Sequence, residues 1–284
     1  MKFKMVLSLI FIIGLGVFFY PIIGNWLATQ SHYEIIENDE KVIESLDENI
    51  INEERIQAEE YNREVGSLSD PILDPFAEDY EEENYQSYFS VLNLGESMGS
   101  LEIPEIDVKL PIYHGASDEV LQRGVGHLSN TSLPVGGEGN HSVLTGHRGL
   151  PSAKLFRELD ELEMEDKFFI KTLGETLAYQ IDDIQIVEPH EVDWLIYEKD
   201  QDYVTLITCD PYMLNTHRLL VRGHRIPHDP MVNDEEWVME APEGLSQIEE
   251  ENDYFWYVMG GTFVVGSVGS VYFYRRRIRK NVGE

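Results

Sequence analysis

The sequence predicts a mainly β domain, barrel or sandwich, held between two membrane-spanning helices. Three observations predict it. From about Tyr88 to Ile226, short β-branched or apolar runs alternate with Gly and Pro, as in GSLEIPEIDVKLPIYHG, NHSVLTGHRG and DYVTLITCDP. That rhythm is the pattern of short strands closed by turns. Residues 5–33 carry no Asp, Glu, Lys or Arg, and neither does the run Tyr254–Tyr274. About 20 apolar residues suffice to cross a bilayer, so both runs qualify.

Residues 1–33 therefore read as an anchor. The alternative is a cleaved signal peptide, but the run is long for one and lacks a clear small-x-small cleavage site. In residues 34–87, Ile36, Val42, Ile43, Leu46, Ile50 and Ala58 recur at roughly helical spacing among many acids. They predict one or two amphipathic helices ending near Gly66. SLSDPILDPFAEDYEEENY follows, a surface loop in which two Asp-Pro pairs restrict the backbone. Residues 88–228 hold the β domain, with SDEVLQRG and ELDELEMED as short helical insertions. Residues 229–253 carry ten acids and no base, which describes a solvated tether. The second span occupies 254–274, with aromatic residues at both of its ends, and a basic tail fills 275–284.

Lys2, Lys4 and the RRRIRK run put both termini in the cytoplasm by the positive-inside rule, and the middle outside. The net charge of −32 excludes nucleic acid as a natural partner, because such a surface repels phosphates. No Cys/His metal spacing and no EF-hand loop is present, so no dedicated metal site is expected.

The chain has one cysteine, Cys209. VTLIT reads as a buried strand that Asp210-Pro211 breaks, and HRLLVRG as the next strand. Paired antiparallel, they would set Cys209 beside Arg218 at one rim. A nearby cation stabilises a thiolate, or an oxyanion formed when it attacks a carbonyl. The plainer reading is a packed thiol and a solvated arginine. Cysteine chemistry also needs a base, and spacing does not select among nine histidines. Position favours His147, which ends a strand-like run and precedes Arg148-Gly149.

TLITC, PY, NTHR and LLVRG together resemble the signature of sortases, the cysteine transpeptidases of Gram-positive bacteria. TGHRGLPSAKLF resembles their histidine segment in the wording of class C, the pilin-polymerising group. LEIPEIDVKLPIYHG resembles that group's first strands, and the likeness runs from about Leu92 to Arg225. It implies a closed β-barrel of about eight strands with short helices and an N-terminal helical and lid extension. Cys209 becomes the nucleophile, His147 the acid/base and Arg218 the oxyanion or substrate stabiliser. Asp74-Pro75-Phe76 fits the class C lid motif, in which Asp74 pairs with Arg218 and Phe76 lies over Cys209. Asp70-Pro71-Ile72 lacks the ring. Thr208 and Met213 become candidates for the substrate groove.

The resemblance further implies cleavage of an LPXTG-like sorting signal through a thioacyl-enzyme, then transfer to a lysine of another pilin, with no metal or organic cofactor. The implied place is the outer face of a Gram-positive cell membrane. A housekeeping sortase, joining surface proteins to a cell-wall amine, is the near alternative. A non-catalytic membrane-tethered binding domain is the remote one. Two departures stand out. Asp210 occupies a position usually held by a small hydroxyl residue, and a carboxylate there disfavours a thiolate unless it turns away or pairs with a base. Met213 stands where glycine is common, at a point where positive φ is useful.

Overall fold

A computed structural model describes residues 2–66, 74–77, 86–191, 194–195 and 197–228. The acidic tether, the run 254–274, the basic tail and Asp70-Pro71-Ile72 lie outside the described residues.

The first helix, α1, is Lys2–Ser45, and α2 is Glu48–Val65. α1 is long and apolar enough to cross a membrane. It continues through Glu34 without a break, so the onset of charge marks the end of the apolar run and not of the helix. The Asp47 side chain caps α2 by accepting from the Asn49 N–H at 2.8 Å, and α2 stops at Gly66, as its sequence predicts. A short helix, α3, spans Gln86–Ser90.

Eight strands follow: β1 Gly99–Ile103, β2 Val108–His114, β3 Val125–His127, β4 Asn140–Thr145, β5 Lys167–Thr172, β6 Glu175–Val187, β7 Asp202–Asp210 and β8 His217–Ile226. They close into a barrel in the order β1-β2-β3-β4-β7-β8-β6-β5. The two parallel contacts, β2 with β3 and β4 with β7, need long crossovers. Helix α4, Asp118–Arg123, lies in the first, capped by Ser117. The second insertion predicted as helical shrinks to a 3₁₀ turn at Leu159–Glu161.

Strand alternation sorts β7 onto two cores. Val204 and Leu206 enter the barrel interior with Leu101, Ile112, Leu144, Phe168 and Leu219. Ile207 faces the other way, into a smaller apolar cluster with Ala116, Leu121, Leu128, Val143 and Leu220. By that alternation Cys209 shares the outer face with Ile207, and Arg218 shares it with Leu220.

α3 is fastened to the barrel through Tyr88. The Tyr88 hydroxyl donates to the His127 carbonyl at 2.9 Å and accepts from the Gly115 N–H at 2.8 Å. It also lies 2.9 Å from His127 Nδ1, while His127 Nε2 donates to the Ser132 carbonyl at 2.8 Å.

Candidate active site

β7 and β8 pair so that Cys209 stands opposite Arg218 and Asp210 opposite His217. The register puts the thiol and the guanidinium side by side where the hairpin begins to open. A cavity of about 460 Å³ lies over them. Cys209, His147, Arg218 and Asn215 line it, with Asp118 on the α4 side and Phe76 above. His147 follows β4 and shares the cavity because β4 and β7 run parallel, their ends aligned at Thr145 and Ile207.

Asp74 holds Arg218 in a two-pronged ion pair. Arg218 Nε donates to Asp74 Oδ1 at 2.8 Å and Nη2 to Oδ2 at 2.5 Å. Nη1 donates to the carbonyls of Asn215 and His217. The donors that an oxyanion or a substrate carbonyl would use are thus engaged. The Asp74 carboxylate also accepts from the Phe76 N–H, which fixes a tight turn. The Phe76 ring lies 5.9 Å from the His147 ring and 5.2 Å from the Arg218 guanidinium. It packs on the outer apolar cluster beside Trp194 and Leu195. Charge pairing and ring burial together seat this turn over the cavity.

Burial pushes the Cys209 thiol up to about 11, and the Asp74 carboxylate adds to that rise. Arg218 and Arg148 pull the other way without overcoming it. With Asp74 seated, Cys209 is a thiol at neutral pH, and the uncharged form is the poor nucleophile.

Asp210 does pair with a base. Its carboxylate accepts from Arg148, whose other amino group bridges to Asp160 at 2.5 Å. Arg148 is 5% exposed. The sequence places it beside His147 but gives no sign of its partner, which lies 62 residues away. Asp118 was also missed. Its Oδ1 lies 3.5 Å from His147 Nε2 while its Oδ2 accepts from Gln122 at 2.8 Å.

The groove candidates separate. Thr208 is fully buried, on the interior face of β7, and its hydroxyl donates to the Gly146 carbonyl at 2.7 Å. It holds the base of the His147 loop and has no face toward the cavity, which corrects its placement in the groove. Met213 is 69% exposed at the tip of the β7–β8 loop. Its φ is 68°, so the loop keeps the left-handed conformation without glycine. For a side chain that costs about 1 kcal/mol.

Among the described residues no group of three or more His, Cys, Asp or Glu is arranged to hold a metal ion. The acids nearest the cysteine, Asp74 and Asp210, are engaged by arginines.

Comparison with known proteins adds three findings. The sortase domain model matches residues 101–226. Sortase D of Bacillus subtilis (strain 168) is 31% identical over 135 residues, 46% of this chain and 65% of that protein. The chain thus spans just under two thirds of that relative's length. Among solved structures, sortase C-1 from Actinomyces oris is 47% identical with a TM-score of 0.61, covering 63% of this chain and 99% of that one. Streptococcus pneumoniae sortase C, described in connection with pilin substrate specificity, is 42% identical. Its TM-score is 0.62 over 69% of this chain and 97% of that one.

Proposed function

Since the chain belongs to the sortase family, we propose that it is a membrane-anchored cysteine transpeptidase that joins pilin subunits by isopeptide bonds. The observation that carries the pilin reading is the seated Asp74-Pro75-Phe76 turn, with Asp74 on Arg218 and Phe76 against His147. The likeness to class C structures, one of them described with pilin substrate specificity, supports the same reading.

The chemistry follows from the groups on the cavity. Once the turn leaves, Arg218 regains the two donors that Asp74 holds, and the cavity over Cys209 and His147 loses its Phe76 wall. The Cys209 proton passes to His147, and Sγ attacks the threonine carbonyl carbon of an LPXTG-like signal. A C–S bond forms, and Arg218 stabilises the developing oxyanion. The C–N bond to glycine breaks as His147 returns its proton to the leaving nitrogen. A neutral lysine ε-amine of another pilin then attacks the thioester. The new C–N bond forms, the C–S bond breaks, and the amine proton goes to His147. No cofactor enters either half.

The test is mass spectrometry of the product made by the full chain from a candidate pilin. A threonine carbonyl joined to a lysine ε-nitrogen is expected, and Cys209→Ala should give none. Joining to a cell-wall peptide amine would instead establish the housekeeping alternative. Normal polymers from the Cys209→Ala chain would end both.

A further inference from the structure

α1 changes character at Gly24. Every described side chain from Phe3 to Ile23 is exposed. From Gly24 onward a stripe at positions 24, 25, 28, 29, 32 and 36 is covered, the i, i+4 spacing of a helix face packed on a surface. Ile36 is 4% exposed on that stripe, and farther along Asp39 accepts from the N–H groups of Glu96 and Ser97, both at 2.8 Å. The helix is therefore docked on the barrel, and the free part begins abruptly. That free part is roughly 31 Å long at 1.5 Å per residue, against about 30 Å for the hydrocarbon core of a bilayer. If α1 spans the membrane, no slack remains between barrel and lipid.

The point of exit identifies which part of the barrel lies at the surface. A Cβ on Gly24 would lie 3.2 Å from the Ser152 Cα, so helix backbone and His147-loop backbone touch there. Three residues earlier in the same loop, a Cβ on Gly149 would lie 3.9 Å from the Tyr212 ring and 4.0 Å from the Met213 sulfur. Three residues of chain reach at most about 10 Å. Tyr212, Met213 and Leu214 are 45%, 69% and 71% exposed, three consecutive large apolar side chains at the tip of the β7–β8 loop. An apolar element with one amphipathic ring suits a depth of about 5–10 Å, at the boundary of headgroups and acyl chains.

We propose that Tyr212, Met213 and Leu214 form a second membrane contact, set in the outer leaflet beside the exit of α1. The inference rests on the reading of α1 as a membrane anchor. It gives the exposed loop an occupant, the bilayer surface, continuous with the free face of α1. It also places the mouth over Cys209 at the height where a membrane-held substrate emerges.

The test uses the full chain carrying Cys209→Ala, with single cysteines introduced for an environment-sensitive fluorophore. Leu214→Cys reports on the loop. Phe11→Cys reports on the span, and Ile50→Cys reports on exposed surface beyond the far end of α1. The chain is reconstituted in phosphatidylcholine vesicles with and without nitroxide-labelled lipid. Leu214 and Phe11 labels should both be quenched at least twofold more than the Ile50 label, the Phe11 label by deep nitroxides and the Leu214 label by shallow ones. Quenching at Phe11 with Leu214 behaving like Ile50 would overturn this inference and leave the anchor standing. No quenching at Phe11 would remove the anchor and this contact together. A blue shift at Leu214 without lipid quenching would mean that protein covers the loop, and would overturn it as well.

Discussion

Replacing the seated turn should change how fast Cys209 reacts, by an amount the site geometry sets. The perturbation is Asp74→Ala with Phe76→Ala. With both side chains present the thiol stands at about 11, raised first by burial and then by Asp74. Removing them takes Asp74 off Arg218 and Phe76 off the cavity mouth, and a full return of the thiol to the ordinary value of about 8.5 sets the upper limit of the effect. At pH 7.5 the thiolate fraction then rises about 300-fold, while a Brønsted coefficient of about 0.45 lowers its intrinsic reactivity about 13-fold. Alkylation should therefore be up to about 20-fold faster, before any gain from easier access. The assay is the rate of iodoacetamide addition to the chain, followed by intact mass across pH 6–11. Its pH midpoint should fall by up to about two and a half units in the double variant. An unchanged rate would refute the seated turn. A faster rate with an unmoved midpoint would show that the turn excludes reagents without controlling ionisation.

Two further outcomes follow. Arg148→Ala strands Asp210 and Asp160 without their shared cation and should cost about 3 kcal/mol, read by denaturant midpoint. Arg148→Lys should recover only part, because an ammonium does not reproduce the two-branched geometry. His127 is held down to about 3 by burial, whereas the unfolded chain takes up its proton near pH 6.5, so acidification from pH 7 to 5 should cost about 2 kcal/mol through this group. Asp202, raised to about 6 by burial, works the other way and returns about 1 kcal/mol over the same interval. His114 is also held below its ordinary value by burial and adds to the fall, so His127→Gln should make the loss of stability between pH 7 and 5 shallower by about 2 kcal/mol, and an unaltered slope would count against the assignment.

Local features of the fold were legible because local physics sets them. The Gly66 helix stop, the end of the last strand at Ile226 and the adjacency of Cys209 with Arg218 need only periodicity and one tight hairpin. The facing of Thr208 was hidden because β7 is buried on both sides, so its apolar run carries no visible alternation. The partner of Arg148 was hidden for a different reason. It depends on β4 lying parallel to β7, a crossover that no short motif encodes. The continuity of α1 was missed because hydropathy reports the solvent around a helix and not the backbone within it.

The arginine missed in the sequence resolves the difficulty posed by Asp210. Two arginines flank the cysteine, and each is matched by acid. Arg148 is matched by Asp210 and Asp160, Arg218 by Asp74. The first set is built into the barrel: Asp210 ends a central strand and Arg148 is buried against the Arg157 carbonyl. A carboxylate matched in this way does little to oppose a neighbouring thiolate. The second set has its acid on the Asp74-Pro75-Phe76 turn, outside the barrel strands. Displacing that turn leaves one unmatched positive charge, and it leaves it on the residue directly opposite Cys209 in the register. An acidic residue next to Cys209 is tolerable under this arrangement, because Asp210 is already matched by Arg148 and the arginine opposite Cys209 is matched by a carboxylate from outside the barrel.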